Sequence, residues 1–250
     1  MSPRGKSNLA FFEAYFSNYI EGTEFLVEEA MDIVFHGFTP EDRPQDAHDI
    51  LGTYSIVSDD VEMRRQPRHA DDFIRVLTSR HFTFMEARPD KRPGQFKRQE
   101  NRAGSTVFVA PELVVGTLEK GFELHQGLES PLHRAIFMIF LVSEVHPFAD
   151  GNGRAARIMM NAELVAGYEQ KIIIPTVYRN NYLSALKALS QTGNSAPLIR
   201  MLDFAQRYTA SIPWDDFETA RAVLEATHAF RDSNEAEGQG IRLVLPHSDP

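Results

Sequence analysis

Residues 131–167 read PLHRAIFMIFLVSEVHPFADGNGRAARIMMNAELVAG and carry the most constrained pattern in the chain. Pro131 to Val145 has large apolar side chains at helical spacing. A second helix runs from Ala155 to Gly167 and is amphipathic. Between them, His146-Pro147-Phe148-Ala149-Asp150-Gly151-Asn152-Gly153-Arg154 forms a tight connection that ends at a helix N-terminus. Two packed helices joined by a glycine-rich turn set the expectation of a mainly α fold.

The residue types in that connection point to phosphate chemistry. Gly151 and Gly153 let the backbone turn sharply and approach a ligand, so that free N–H groups and the positive end of the helix can meet an anion. Arg154 and Arg157 lie three apart on the same helix, and both are expected to reach oxygens of one polyphosphate. Asp150 offers a hard oxygen for Mg²⁺, which usually takes one or two carboxylates together with phosphate oxygens and water. His146, at the end of the first helix, is a candidate general base, because neutral imidazole accepts a proton near pH 7. Phe148 reads as a core anchor beneath the loop.

Working outward, helical spacing is expected over Leu9–Ile20, Glu24–Phe35, Asp46–Tyr54, Asp71–Arg80, Pro111–Gln126, Arg179–Thr192, Ala196–Ser211 and Asp215–Arg231. Glu21-Gly22-Thr23 breaks the first two helices, with Thr23 expected to cap the second. Pro- and Gly-containing turns bracket Gln95–Arg98 and Ser105–Val109, which predicts a small β-hairpin. Glu235–Gly240 reads as linker and Ile241–Leu245 as a short strand. The architecture expected is a mainly helical single domain with one hairpin, organised as an N-terminal helical region (1–70), a core (71–211) and a C-terminal helix and tail (212–250).

Composition excludes several classes. An apolar fraction of 42% and a charged fraction of 24% are ordinary for a folded globular chain. A net charge of −9 gives no general attraction to nucleic acid or anionic lipid, so neither is expected as a partner. The longest apolar run, Ala135–Val142, is far shorter than the roughly 20 residues of a membrane-spanning helix. Met1–Asn8 has no apolar signal core, and a cytoplasmic location is expected. Cysteine is absent, which removes disulfides, thiolate nucleophiles and Cys-based zinc sites. His125 and His133 show no close ligand spacing and read as packing or solubility residues.

The stretch His146–Arg157 resembles the Fic family signature, His-Pro-Phe-x-Asp/Glu-Gly-Asn-Gly-Arg-x-x-Arg, at every fixed position. The resemblance implies a Fic-type helical bundle with a small β-hairpin flap, and an activity that moves AMP from ATP onto a Ser, Thr or Tyr hydroxyl of a protein target, releasing pyrophosphate. It implies His146 as the catalytic base, Asp150 as the Mg²⁺ ligand, and Gly151, Asn152, Gly153, Arg154 and Arg157 as the ATP and phosphate contacts. Tyr182 resembles the family's adenine-side tyrosine, whose second tyrosine is replaced here by Leu183. Gly94, Gln95, Phe96 and Lys97 look like the target-binding flap. Self-modification and a homodimer are compatible with the sequence.

Ser17-Asn18-Tyr19-Ile20-Glu21-Gly22 looks like the family's inhibitory motif, Ser/Thr-x-x-x-Glu-Gly/Asn, in the N-terminal position of the subgroup inhibited in cis. The expected partner of Glu21 is Arg157, which would otherwise hold the γ-phosphate. Ser17, Glu21 and Gly22 are therefore expected to be inhibitory. Three other readings stay open: AMP removal by the same site, transfer of a phosphate or phosphocholine, and a non-catalytic nucleotide-binding module. Gly153 argues against phosphate transfer, since that branch of the family carries lysine there.

Overall fold

A computed structural model describes residues 1–104 and 106–246. The helices are α1 (Pro3–Ile20), α2 (Val27–His36), α3 (Pro44–Val57), α4 (Asp60–Met63), α5 (Ala70–Met85), α6 (Val114–Gln126), α7 (Pro131–Val145), α8 (Asn152–Ala166), α9 (Arg179–Thr192), α10 (Ala196–Ser211), α11 (Phe217–Ala226) and α12 (Ser233–Gln239). One antiparallel pair, β1 (Arg102–Ala103) and β2 (Thr106–Val107), places Arg102 opposite Val107 and Ala103 opposite Thr106. The mainly α fold with a small hairpin is therefore as expected. Among the described residues, no helix is long and apolar enough to cross a membrane.

The chain divides into two compact units, Glu21–Glu169 and Met1–Ile20 with the chain from Gln170 on. In the first unit, α7 and α8 pack along each other, with α5 and α6 alongside and α3 against α5. Its core contains Phe73, Phe84, Met85, Leu118, Phe122, Met138, Val142, Phe148, Ala156 and Met159, all fully or almost fully buried. Phe73 and Phe122 stack at 5.0 Å and tie α5 to α6. Burial of such side chains is worth about 1.5–3 kcal/mol each relative to exposure. The core thus forms a rigid floor for the turn between α7 and α8.

The second unit is built around aromatic side chains of α1. Phe11, Phe12, Tyr15 and Phe16 pack with Trp214, Phe217 and Phe230. The buried Glu13 carboxylate pairs with Lys171 at 2.8 Å, and Asn8 donates to the Trp214 carbonyl at 2.7 Å. The last carbonyl of α1, on Ile20, accepts from Arg179 at 3.1 Å.

Several local expectations are corrected. The hairpin lies at 102–107 and not at 95–98, because the Lys97 N–H donates instead to the Pro147 carbonyl at 2.8 Å. Ser105, within the second expected strand, lies outside the described residues. Thr23 does not cap α2. That helix begins at Val27, where the Leu26 N–H donates to Glu29 at 2.8 Å. The expected linker at 235–240 lies largely within α12, because Asp232 accepts from the N–H groups of Asn234 and Glu235 and Ala236 finds burial. Residues 241–245 form no strand, since no neighbouring strand pairs with them among the described residues.

Candidate active site

The turn between α7 and α8 is held by backbone geometry and by side chains spent on the loop itself. His146 ends α7 in the left-handed conformation, with φ +50°, and its N–H still bonds to Val142 at 3.0 Å. Gly151 also has a positive φ, +75°, and an added Cβ there would meet Phe84 at 2.9 Å and Met85 at 3.0 Å. Glycine is needed at 151 on both counts. The Asn152 side chain is consumed by Phe148, accepting from its N–H at 2.8 Å and donating to its carbonyl at 2.9 Å. Asp150 accepts from the Gly151 N–H at 2.7 Å, and its own carbonyl faces His81 Nε2 at 3.0 Å. The first amides of α8 are therefore presented by a braced loop.

His146 Nδ1 lies 3.3 Å from the Ser143 carbonyl. A carbonyl only accepts, so Nδ1 carries the hydrogen and the lone pair of the neutral ring is on Nε2. Burial pushes the His146 pKa down to about 4, with Lys97 adding to the effect and the Ser143 carbonyl, Glu21 and Asp150 opposing it. The imidazole is thus neutral over the physiological range.

The two arginines face different carboxylates. Arg157 pairs with Glu21 at 2.8 Å, and a Cβ on residue 153 would run into the same Glu21 oxygen. Glu21 therefore lies over the first turn of α8, a helix end that favours negative charge. Arg154 turns into the core, pairing with Asp49 at 2.8 Å and donating to the Met85 sulfur at 3.1 Å. Asp49 is shared with Arg88 at 2.9 Å, and Arg88 also reaches Asp46 at 2.6 Å. Desolvation lowers the Arg88 pKa, but the pairing with Asp49 and Asp46 outweighs it and holds the group above its ordinary value.

The Fic/DOC family model matches residues 70–164, which run from the start of α5 into α8 and contain this loop. This chain carries a Fic/DOC-family domain. The Fic domain and its flanks are similar to protein adenylyltransferase Fic of Drosophila yakuba, 26% identical over 208 residues that span 80% of this chain and 41% of that protein. The corresponding Drosophila virilis protein is 28% identical over 160 residues, spanning 62% of this chain and 32% of that one. The aligned part of this chain thus spans about two-fifths or less of those relatives' length. Among solved structures, a Fic domain containing signaling protein from Bacteroides thetaiotaomicron superposes with a TM-score of 0.72 at 17% identity, covering 88% of this chain and 89% of that one. Fic-1 from C. elegans gives 0.66 at 19% identity, covering 86% and 63%. At those identities the structures establish a shared fold.

Within the Fic domain, the loop gathers His146, Asp150, Gly151, Asn152, Gly153 and Arg157, with Glu21 against Arg157. Among the described residues, no group of three His, Asp or Glu side chains is placed to hold a metal. Asp150 is a single half-buried carboxylate beside the first amides of α8. Of the expected flap residues, Lys97 is buried and its ammonium bonds to Asn101 at 2.7 Å and to the Val145 carbonyl at 3.3 Å. Desolvation lowers its pKa, with Glu100 opposing. Gly94 donates its N–H to His81 Nδ1 at 2.9 Å, and Phe96 packs on Phe148. Tyr182 and Ser17 are buried side chains of α9 and α1, in the other unit, and Gly22 sits at φ +93° just after Glu21.

Residues with no counterpart in the sequence reading also build this site. His81 is fully buried, stacks on Phe148 at 3.6 Å and bonds to both Asp150 and Gly94. Burial pushes its pKa down to about 4. Asp49 and Phe108 likewise lie on separate segments, and only the fold brings them to the loop. The one available signal was Asp46 and Asp49, three apart on one face of α3.

Proposed function

We propose that this protein transfers AMP from ATP to a hydroxyl side chain of a protein target, with His146 as general base. The observation that carries the reading is the bond from His146 Nδ1 to the Ser143 carbonyl, which leaves an unprotonated Nε2 on the loop that leads into the first turn of α8. Nε2 takes the proton of a Ser, Thr or Tyr hydroxyl as its oxygen attacks the α-phosphorus. The bond to the bridging oxygen then breaks, and pyrophosphate leaves. The N–H groups of the first turn of α8 stabilise the phosphate oxygens, and Asn152 keeps those amides in place by bracing Phe148. Arg157 holds the γ-phosphate once Glu21 releases it.

Mg²⁺ bound with the nucleotide would be held by Asp150 and would neutralise phosphate charge. The buried arm of Arg154 ties the first turn of α8 to α3 through Asp49. The exposed Gln95, on the segment bonded to Pro147, and the adjoining hairpin form the surface assigned to the target, while Lys97 is buried beneath it. A main-chain strand edge supplies affinity with little sequence information.

Mass spectrometry of the Glu21→Gly protein after incubation with Mg²⁺ and ATP tests the reading. It predicts one added AMP moiety per modified Ser, Thr or Tyr, on the protein itself or on an added target. Phosphate adducts in their place, or loss of AMP from a previously modified protein, would contradict it.

A further inference from the structure

The imidazole of His146 has a second neighbour that lies outside the signature. The Phe108 ring lies flat on it, with centroids 3.8 Å apart and planes within 5°. Phe108 directly follows β2, and its N–H donates to the Asn101 carbonyl at 3.2 Å. Asn101 donates in turn to the Phe148 carbonyl at 2.9 Å and accepts from Lys97 Nζ at 2.7 Å. The foot of the hairpin is thus fastened to the loop that follows the base.

His146 needs such a neighbour. Its φ of +50° is uncommon for a residue with a side chain, and its polar restraint is a long bond of 3.3 Å to one carbonyl. One bond at the ring edge leaves rotation of the imidazole plane soft. A flat aromatic partner removes that freedom. It also covers one ring face from water, while the in-plane lone pair of Nε2 stays open to an incoming hydroxyl.

We infer that Phe108 is a positioning residue for His146: the hairpin delivers its ring to fix the imidazole plane and keep water off the base. This rests on the nucleotidyl-transfer reading for its catalytic consequence, but not for its geometric one. The charged groups facing His146 are Lys97 on the segment before the hairpin, Glu21, and Asp150 on the loop. A phenyl face by itself favours a cation. Desolvation of the imidazole is nevertheless the largest influence on its titration, so removing Phe108 should raise proton affinity.

The test is an NMR titration of the histidine ring signals in the full chain, with His146 assigned from its loss in His146→Gln. Labelling is measured in parallel in a Glu21→Gly background. In Phe108→Ala the His146 midpoint should move up toward the ordinary value of about 6.5, and labelling should fall about tenfold, with its acid limb following the new midpoint. Phe108→Trp should restore both. A folded Phe108→Ala with unchanged midpoint and rate overturns the inference. If Phe108→Ala loses its dispersed spectrum, Phe108→Tyr and Phe108→Leu decide. Tyr alone keeping the wild-type midpoint supports the inference, and equal midpoints overturn it. Absence of label in Glu21→Gly itself would count against nucleotidyl transfer, while the titrations would still judge Phe108.

Discussion

Glu21 and Arg157 meet at 2.8 Å, and the Glu21 carboxylate lies over the first turn of α8. A carboxylate in that place satisfies the same guanidinium and the same helix end that would receive a phosphate. The pair is partly exposed, so the ion pair itself contributes only about 1 kcal/mol. Steric occupation of the turn adds to it. Glu21→Gly should therefore raise nucleotide-dependent labelling by about tenfold or more, with Glu21→Gln in between. Isothermal titration with ATP and initial labelling rates would check this, and equal rates for all three proteins would sink the inhibitory assignment.

The pH dependence follows from burial of the base. With the His146 pKa near 4, the rate of a Glu21→Gly protein should be flat from about pH 5 to 8 and fall only below that range, rather than near 6.5. The stability sign is the reverse of a histidine that gains an acidic partner. Between about 6.5 and 4 the unfolded chain binds protons at residues 81 and 146 that the native state does not, so stability drops as pH falls through that window. Urea midpoints at pH 7 and pH 5 read this directly.

Asp49 is 1% exposed and joins Arg154 to Arg88. Asp49→Ala leaves the Arg154 guanidinium buried without that counter-charge, which costs about 3–5 kcal/mol. Denaturant unfolding should show this loss, and Asp49→Asn should lose less. A change below about 1 kcal/mol would mean that the network is dispensable.

At Gly151 the backbone conformation and the proximity of Phe84 and Met85 both oppose a side chain. Gly151→Ala should lower stability by about 1–3 kcal/mol and reduce labelling by disturbing the braced turn. Thermal unfolding with a parallel rate measurement would separate the two effects.

The limits of reading this fold from sequence lie where partners are distant in the chain. Strongly periodic segments such as Pro131–Val145 and Arg179–Thr192 appear with the expected bounds, because each carries its own apolar stripe, with a proline opening the first and Gly193 closing the second. The hairpin was displaced, because the 95–98 segment spends a backbone donor on Pro147, a contact that no local pattern announces. At the site, His146 through Arg157 was legible as one contiguous motif. The inward turn of Arg154 was not, since its direction is set by Asp49 on a helix about a hundred residues earlier. His81 and Phe108 were silent for the same reason. Each is an ordinary residue in its own segment and gains its place only by stacking on Phe148 or His146.

The central claim, that His146 drives transfer of the AMP part of ATP, is tested most directly with two labelled nucleotides. Glu21→Gly and the Glu21→Gly, His146→Ala double variant are each incubated with Mg²⁺ and either α-³²P-ATP or γ-³²P-ATP, alone and with cell lysate. The prediction is protein-bound label from α-³²P-ATP only, lost in the double variant. Label from γ-³²P-ATP, or α-label that persists without His146, would contradict it.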